Sequence, residues 1–501
     1  MNTNPKTIIR GGRLLDAQAH TAAHVDILVD NDTITEIGRP GLKAPEGATV
    51  VNAHGMLMHP GLINAHTHSH GNLAKGLGDR WTLELLLAAS PWNFGQRIFD
   101  DIYLSTTIGA VEMITKGCTA CYDLMVEMPA PTADGLEAAG RAYGDVGMRA
   151  MIAPMVADKT FYEAIPGLMD ALTPGLRKDV ERLRLAPYQT SLKNIKKALR
   201  GWSLDSRLAR LAIAPTIPLH CSDAFMKGCA KLAHEFDVGI HSHVSESKVQ
   251  AVSGLKHYGQ SITAHLDDIG LLGPNFTVAH GVWLDDDDCR RLGDHGASVA
   301  HNPGSNMRLG SGLADARGML NRSVNVGIGT DGANCSDNQN MYEAMRIASF
   351  ASKVQGPDQR QWLTTEEIVT AATEGSARAM GWKDIGRIAP RYKADIVFLD
   401  LQTINWVPLN DPTNQLVHTE DGSSVKHVMV GGSMVVKDRV PVNVDMENLA
   451  KKAEAARARL AKVNLPGKKL FERLERIVGS FCPGLALTPH HIHRYGASPR
   501  V

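Results

Sequence analysis

Histidine pairs in this sequence have the spacing of metal ligands. His66 and His68 stand two residues apart at the end of an apolar run, and His241 and His243 repeat this spacing after another run. On an extended strand, residues i and i+2 point to the same side, so two imidazoles can converge on one ion just beyond the strand end. Glu246 follows three residues after His243. The pattern predicts a metal site with a carboxyl group nearby.

Two further apolar runs end in residues of matching chemistry. His280 ends FTVAH, and Asp331 lies in GIGTDG. Histidines that only filled a core would not collect at the ends of successive strands. We therefore interpret four residues as the ligands of one divalent ion: His66, His68, His243 and Asp331. Three imidazoles and one carboxylate suit Zn²⁺, with Fe²⁺ as the alternative.

Such a site activates water for attack on an electrophilic carbon. One ion is expected rather than two. The fourth strand-like segment, LARLAIAP at 208–215, contains no lysine that could bridge two ions as a carbamate.

Alternating strands and helices must position these residues between about 59 and 385. Most of the apolar, strand-like segments in this region are followed by a helical pattern. The segments lie at 62–66, 119–125, 149–156, 211–215, 238–244, 276–280, 297–301 and 324–330. This alternation predicts an α/β fold with a parallel sheet, and eight such segments predict a (β/α)8 TIM barrel. The active site of such a barrel lies at the carboxyl ends of its strands.

The chain returns to strand patterns on both sides of the barrel. We predict one composite β-sandwich domain from 1–58 and 386–442, with the barrel at 59–385 between them. A helical C-terminal extension and tail would occupy 443–501. Its apolar spacing at 445–481 is typical of two amphipathic helices, which we expect to pack on the chain's own surface or on a sister subunit.

Two other segments leave their roles open. The insertion at 157–205 contains a basic helical run, LKNIKKALRGW. This run is either a solvated helix face or a lid or anion contact of the pocket. The tail at 487–501 has three histidines within four positions. We interpret the tail as an interface arm or a disordered end rather than a second metal site.

Composition excludes several classes of function. Among 501 residues, Lys plus Arg and Asp plus Glu both number 53, so no nucleic-acid or membrane partner is expected. No apolar run is long enough to span a membrane, and residues 1–10 lack the apolar segment of a signal peptide. The odd count of seven cysteines fits free thiols in a reducing compartment. We expect a cytoplasmic homo-oligomer that acts on a small molecule.

The run HPGLINAHTH at 59–68 resembles the amidohydrolase superfamily. It is most similar to the branch of cytosine deaminase, the adenosylhomocysteine and methylthioadenosine deaminases, and the triazine hydrolases. Four further segments resemble motifs of that branch: HSHVSES (241–247), VAHGVWLD (278–285), VAHNPGSNMRLGSGLA (299–314) and VGIGTDGANCSDNQNMYEAMR (326–346). The resemblance covers about residues 7–440.

The resemblance implies a role for each residue of the site. The metal ligands would again be His66, His68, His243 and Asp331. Glu246 would be the proton shuttle, and His280 would orient or polarise the substrate. In such a reaction Asp331 can take the proton of the water, and Glu246 can protonate a ring nitrogen or leaving group.

Several substrate-facing positions differ from those of the adenosylhomocysteine-type deaminases. Strand four ends in Ala-Pro-Thr216, with His220 further on, where those enzymes have a Pro-His pair. WNFG at 92–95 stands where they have Trp-Pro-x-Glu with a sugar-binding glutamate. These differences disfavour a nucleoside thioether substrate. The loop at 69–100 could instead form an apolar or aromatic wall.

We expect six substrate contacts: His70, Trp81, Trp92, Thr216, His220 and Asn306. For Trp81 and Trp92, packing within the loop is the alternative, and for His70 a structural or solvent-facing position is the alternative.

We predict hydrolysis of a non-peptide C–N bond, in the form of deamination of a small N-heteroaromatic compound. The alternative is hydrolysis of an amide, urea or carbamate, or displacement of another leaving group as in triazine hydrolases. A non-catalytic scaffold is disfavoured, because every ligand position and Glu246 are intact.

Overall fold

The computed structural model describes residues 6–497. Its strands fall where the apolar segments predict them. The strands are β1 (Lys6–Asp16), β2 (Thr21–Asp30), β3 (Thr33–Gly38), β4 (Thr49–Asn52), β5 (Met56–Pro60), β6 (Leu62–Thr67), β7 (Cys118–Met125), β8 (Arg149–Val156), β9 (Ala209–Leu211), β10 (Ala214–Pro215), β11 (Ile240–Val244), β12 (Phe276–His280), β13 (Ser298–His301), β14 (Asn325–Ile328), β15 (Ile396–Asp400), β16 (Val425–Val430), β17 (Ser433–Lys437) and β18 (Val440–Pro441).

Most helices begin at a side chain that caps the first turn. Thr132 and Ser222 each accept a backbone N–H bond at the start of α4 and α9. The helices are α1 (Leu83–Ala88), α2 (Ser90–Phe94), α3 (Phe99–Thr115), α4 (Ala133–Val146), α5 (Phe161–Ala164), α6 (Leu168–Ala171), α7 (Pro174–Glu181), α8 (Tyr188–Gly201), α9 (Asp223–Phe236), α10 (Lys248–Tyr258), α11 (Ile262–Asp268), α12 (Asp286–Asp294), α13 (Pro303–Arg308), α14 (Ala316–Asn321), α15 (Met341–Lys353), α16 (Thr365–Thr370), α17 (Ser376–Ala379), α18 (Pro412–His418), α19 (Met446–Val463) and α20 (Leu465–Ala486).

Strands β6 to β14 form the predicted barrel from two parallel half-sheets. One half has the order β6–β7–β8–β10, with β9 also paired to β8, and the other has the order β11–β12–β13–β14. Ile213 joins the halves on one side, where its N–H donates to the Gly239 carbonyl oxygen at 3.0 Å. On the other side, the N–H of Asp331 donates to the His66 carbonyl oxygen at 2.9 Å. The α/β barrel prediction is confirmed.

A glycine permits the closure of the barrel beside β6. A Cβ atom at Gly329 would lie 2.9 Å from the backbone nitrogen and oxygen of His66, and closer still to the Asn302 side chain. Only a residue without a side chain allows the end of β14 to approach β6 so closely. This contact places Asp331 beside the two histidines of the first barrel strand.

The terminal segments combine into one nine-stranded sheet. Its order is β18–β17–β16–β15–β5–β1–β2–β3, and β4 pairs with β1. Ile27 of β2 and Phe398 of β15 share one apolar core, although they come from opposite ends of the chain. A buried ion pair fastens this domain to the barrel, because Arg149 Nε of β8 donates to Asp395 Oδ2 at 2.8 Å.

The basic run within the insertion is part of a barrel helix. Helix α8 buries Ile195 and Ala198 and exposes Lys193 and Lys197, so the solvated-face interpretation holds for this run. Residues nearer the start of the insertion, at 157–185, approach the barrel mouth instead.

The C-terminal helices pack on the chain's own surface. Helix α20 lies against α1, α2, α6 and α10, and buries Phe471, Leu474 and Val478 among the residues of the loop after β6. The following tail, to residue 497, also packs on the barrel. His491 Nε2 lies 2.7 Å from Asp285 Oδ2, and the N–H of Leu313 donates to the Arg494 carbonyl oxygen. The tail is therefore not a disordered end over this range, whereas its role as an interface arm stays a prediction; residues 498–501 lie outside the described residues.

No helix within residues 6–497 is long and apolar enough to cross a membrane. A homo-oligomer stays a prediction.

Candidate active site

Five ionisable side chains meet at the carboxyl ends of the barrel strands. They are His66, His68, His243, His280 and Asp331, and all are buried. The strands aim them inward, since β6, β11 and β12 end at or next to these histidines. The backbones at His280 and Asp331 have φ values of 71° and 63°. Such left-handed conformations are uncommon for non-glycine residues and are tolerated mainly where function requires them.

Hydrogen bonds to the backbone orient two of the imidazoles. His68 Nδ1 lies 2.7 Å from the Leu124 carbonyl oxygen, and His243 Nδ1 lies 2.6 Å from the Thr216 carbonyl oxygen. Carbonyl oxygens only accept, so each Nδ1 carries a proton, and in the neutral ring each Nε2 then presents a lone pair. These two Nε2 atoms lie 3.2 Å apart. Two facing lone pairs at this distance repel each other unless a cation lies between them.

The other ligand atoms complete a site that fits Zn²⁺. Asp331 Oδ1 lies 3.2 Å from His68 Nε2 and 3.6 Å from His66 Nε2. Neither ring nitrogen of His66 has a hydrogen-bond partner, although both are buried. A buried polar atom without a partner is costly, and a metal–nitrogen bond would remove that cost.

The protonation states also suit a cation. Burial lowers the pKa of His66 to about 3 and that of His243 well below its ordinary value. Burial opposes ionisation of Asp331, but the neighbouring imidazoles of His66, His68 and His280 hold its pKa well below the ordinary value. His66 and His243 are therefore neutral imidazoles beside a carboxylate, which is the form of these groups that binds metal.

Glu246 is poised to hold a proton beside this centre. Burial, followed by the charges of Asp331 and Glu84, raises the pKa of Glu246 well above its ordinary value. Its Oε2 atom has no hydrogen-bond partner and lies 3.7 Å from His280 Nε2. A protonated carboxyl group facing the cavity can act as a general acid.

His280 is held in a fixed orientation by Asn306. His280 Nδ1 lies 2.9 Å from Asn306 Oδ1, while Nε2 is buried without a partner. The sequence analysis predicted a substrate contact for Asn306, but this residue is 1% exposed and does not line the cavity. Its position corrects that prediction, because Asn306 orients a side chain that faces the cavity.

Ser305 is a site residue that the sequence analysis missed. Its Oγ donates to Asp331 Oδ2 at 2.6 Å, and the N–H of Gly332 donates to Asp331 Oδ1 at 2.7 Å. These bonds orient the carboxylate and stabilise its charge. The signal in the sequence is weak, because a single serine beside Asn306 has no spacing that marks it as a partner of Asp331.

A cavity of about 1260 Å³ opens onto this centre. The predicted contacts His70, Thr216 and His220 line it, together with the apolar residues Leu83 and Phe94. Further walls come from the insertion and from α20, which contribute Phe161, Tyr162, Leu470 and Arg473. The C-terminal extension is thus part of the cavity, and this contribution was not predicted.

Trp81 and Trp92 do not line the cavity. Their rings lie 5.8 Å apart, and the Trp81 ring lies 5.4 Å from that of Phe471 on α20. Both belong to the apolar core beneath that helix. Their prediction as substrate contacts is corrected, and the alternative of packing within the loop holds. Large aromatic side chains bury most surface where two elements meet.

Comparisons with known proteins identify the family of this sequence. Residues 40–435 match the model of the Amidohydrolase family. The chain is 32% identical to the 5-methylthioadenosine/S-adenosylhomocysteine deaminase of Thermococcus onnurineus, over 86% of this chain and 94% of that protein. It is 31% identical to the 5'-deoxyadenosine deaminase of Methanothermobacter thermautotrophicus, over 91% of this chain and 99% of that protein.

Solved structures show the same architecture. An adenosine deaminase from Xanthomonas campestris with bound zinc superposes with a TM-score of 0.80 at 25% identity, covering 91% of this chain and 99% of that one. An atrazine chlorohydrolase from Arthrobacter aurescens complexed with zinc also gives a TM-score of 0.80 at 25% identity, covering 90% of this chain and all of that one.

Proposed function

This chain belongs to the amidohydrolase family, and we propose that it deaminates a small N-heteroaromatic amine by hydrolysis, with one Zn²⁺ held by His66, His68, His243 and Asp331. The observation that carries the proposal is the arrangement of His68 and His243. Their Nε2 atoms face each other at 3.2 Å, next to a carboxyl group whose pKa is raised.

Each residue of the centre has a distinct task. Bound Zn²⁺ supplies Lewis-acid activation of water. The Asp331 carboxylate, held by Ser305, accepts a proton. Glu246 donates its proton to a ring nitrogen, and the departing amine takes the proton that Asp331 accepted from the water. Glu246 regains a proton from the added hydroxyl group as the product carbonyl forms. His280 donates through Nδ1 to Asn306, so its Nε2 accepts a hydrogen bond from the substrate or the attacking water.

The cavity walls suit a flat ring. Leu83, Phe94, Phe161 and Met155 line the same cavity as the polar centre. Apolar and aromatic walls bury the faces of a heteroaromatic ring, while the few polar groups form hydrogen bonds to its edge. The deaminase relatives act on adenosine derivatives by their names, so 6-aminopurine nucleosides are the first amines to test.

A second candidate reaction uses the same residues. The atrazine chlorohydrolase is as similar in structure as the zinc-bound adenosine deaminase. General acid catalysis and activated water also serve the hydrolysis of an amide, urea or carbamate, and the displacement of another group from a triazine. The leaving group distinguishes these reactions from deamination.

The test is a panel assay with the zinc-loaded protein. The panel contains 5'-methylthioadenosine, 5'-deoxyadenosine, aminopyrimidines, aminotriazines, aryl amides and phenylureas, with ammonia release and product mass measured together. Ammonia with replacement of NH₂ by OH supports the proposal. Release of a substituted amine or of chloride without ammonia supports the second candidate instead.

A matched variant tests the role of Glu246. Glu246→Gln keeps the shape of the side chain but removes the transferable proton. We expect turnover to fall by about 10²- to 10⁴-fold, with zinc still bound at the wild-type ratio by elemental analysis. Unchanged turnover would remove Glu246 from the mechanism.

A further inference from the structure

Arg97 lies in the cavity wall, and its guanidinium group has N–H donors without a partner. Its Nη2 donates to the Asn93 carbonyl oxygen at 3.1 Å, but Nε and Nη1 are inaccessible to solvent and have no acceptor. Within residues 6–497, no carboxylate oxygen lies within 4.0 Å of its guanidinium. Burial lowers the pKa of Arg97 to about 10, so the side chain is still charged at neutral pH.

Asp101 is the acidic residue whose charge raises the pKa of Arg97, but its carboxylate oxygens already have other partners. Asp101 forms an ion pair with Arg459 of α19 and accepts the N–H of Ile98 at 2.9 Å. It therefore contributes a distant charge to Arg97 but no hydrogen bond. Burying a charged donor without an acceptor costs more than leaving a neutral group unpaired.

A second buried donor lies at the same end of the cavity. Asn464 stands between α19 and α20 and also lines the cavity. Its Oδ1 accepts the N–H of Gln96 at 2.8 Å, which identifies the other amide atom as Nδ2. Nδ2 is buried and has no acceptor within the described chain. The C-terminal extension thus brings a free N–H donor next to the loop that carries Arg97.

The surrounding charges favour an anion. Lys159 lines the cavity as well and has no acidic partner within 4.0 Å in the described chain. Arg182 and Arg473 also line the cavity, but both are largely exposed and both are paired with Asp179, at 3.6 and 3.0 Å. Cations therefore outnumber acids along this wall, and the unpaired ones attract a negatively charged group.

A line of rings connects Arg97 to the metal centre. The His68 and His70 rings lie 5.0 Å apart, the His70 and Phe94 rings 4.8 Å apart, and the Arg97 guanidinium 5.9 Å from the Phe94 ring centre. A substrate ring held against this row with its amine at the metal centre can direct a substituent toward Arg97.

We propose that Arg97 and Asn464 form a subsite for an anionic group of the substrate, a carboxylate or a phosphate, with the Asn464 donor supplied by the C-terminal extension. This inference rests on the proposed function only in taking the anion to be part of the substrate of that reaction. Binding of an anion can be measured without the reaction, so it tests the subsite separately. Both groups accept several N–H bonds, and bonds to charged partners are about twice as strong as neutral ones.

Calorimetry with non-reacting probes tests the subsite. The zinc-loaded protein is titrated with benzoate, phenyl phosphate and the neutral benzamide. We expect both anions to bind more tightly than benzamide. Arg97→Met should weaken binding of the anions by about 10- to 100-fold and leave benzamide unchanged. Arg182→Met, which removes an exposed charge that is paired with Asp179, is the matched control and should change anion affinity by less than about threefold.

A second, more conservative variant tests the subsite if Arg97→Met folds poorly. Asn464→Asp retains the oxygen that accepts from Gln96 but replaces the free donor with negative charge, so anion binding should fall while benzamide binding does not. Anion affinity that survives both substitutions would overturn the subsite and place the anion elsewhere, for instance at the metal. Whichever anion binds more tightly identifies the group.

The same variants separate the two proposals in kinetics. If the protein deaminates amines, Arg97→Met should lower kcat/KM for S-adenosylhomocysteine or adenosine 5'-monophosphate far more than for 5'-methylthioadenosine. A panel without any deamination, combined with anion binding that depends on Arg97, would reject the proposed reaction and keep the subsite. An equal loss for charged and neutral substrates would reject the subsite.

Discussion

His68 and His243 approach each other through their Nε2 atoms at 3.2 Å, although 175 residues separate them in the chain. Backbone carbonyl oxygens of Leu124 and Thr216 hold the two rings by their opposite nitrogens. The barrel therefore holds two nitrogen lone pairs close together, where they repel each other. A cation bound between them attracts both. The folded protein is prepared for metal before metal arrives.

Removing the ion should lower both activity and thermal stability. A ligand that binds only the native state stabilises it by about 4 kcal/mol at 1,000 times its dissociation constant. We expect dialysis against a chelator to lower Tm by several degrees, and added Zn²⁺ to restore both properties. Elemental analysis should find one ion per chain. A reproducible ratio of two ions, or an unchanged Tm, would contradict the single-ion site.

Replacing Asn306 with alanine should impair catalysis without opening the binding pocket. Asn306 does not line the cavity but holds His280 by a bond of 2.9 Å. We expect Asn306→Ala to lower kcat by about 10²-fold, with KM changed by less than about threefold, because the ring of His280 loses its orientation. Asn306→Asp retains the accepting oxygen and should recover part of kcat. A large rise in KM with unchanged kcat would instead indicate direct substrate contact.

Truncating Phe471 should loosen the helix that covers the cavity. Phe471 is 4% exposed and contacts the Trp81 and Trp92 rings. Phe471→Ala should lower the free energy of unfolding by about 3–5 kcal/mol and raise KM, because α20 forms part of the cavity wall. Leu487→Ala is the control, since Leu487 is 59% exposed and just follows the helix. Equal effects of the two substitutions would argue against packing as the cause.

The protein should lose stability in mild acid partly through His59. This residue lies away from the metal site, with Nε2 2.9 Å from the Tyr342 hydroxyl, and burial lowers its pKa from 6.5 to about 4. The unfolded state binds a proton below pH 6.5, whereas the native state does so only near pH 4. The stabilisation is therefore complete above pH 6.5 and is lost as the pH falls toward 4. Between pH 7 and 5 the loss is about 2 kcal/mol.

Urea unfolding of wild type and His59→Gln at both pH values isolates this effect. Glutamine does not titrate, so the variant should lose about 2 kcal/mol less than wild type over the same interval. Other groups titrate equally in both proteins and cancel in the difference. If the two proteins lose the same free energy, His59 does not titrate as its burial predicts.

The convergence of the histidines and the barrel could be predicted from the sequence because both depend on local spacing. Alternate residues of a strand face the same side, so His66 and His68 had to converge wherever β6 lay. Apolar segments alternating with helical patterns indicated the parallel barrel, and the resemblance to a family added Glu246 and His280. None of these inferences required knowledge of which distant segments touch.

The tertiary structure alone decided how distant segments meet. Trp81 and Asn306 have the residue types of substrate contacts. Trp81 is instead buried beneath α20, and Asn306 is hydrogen-bonded to His280. Likewise, no spacing rule relates Gln96 to Asn464, whose hydrogen bond joins positions 368 apart in the chain. Such contacts depend on the apolar surface that α19 and α20 bury against the rest of the chain. The free energy gained by burying this surface is a sum over many residues, so no single motif reveals it.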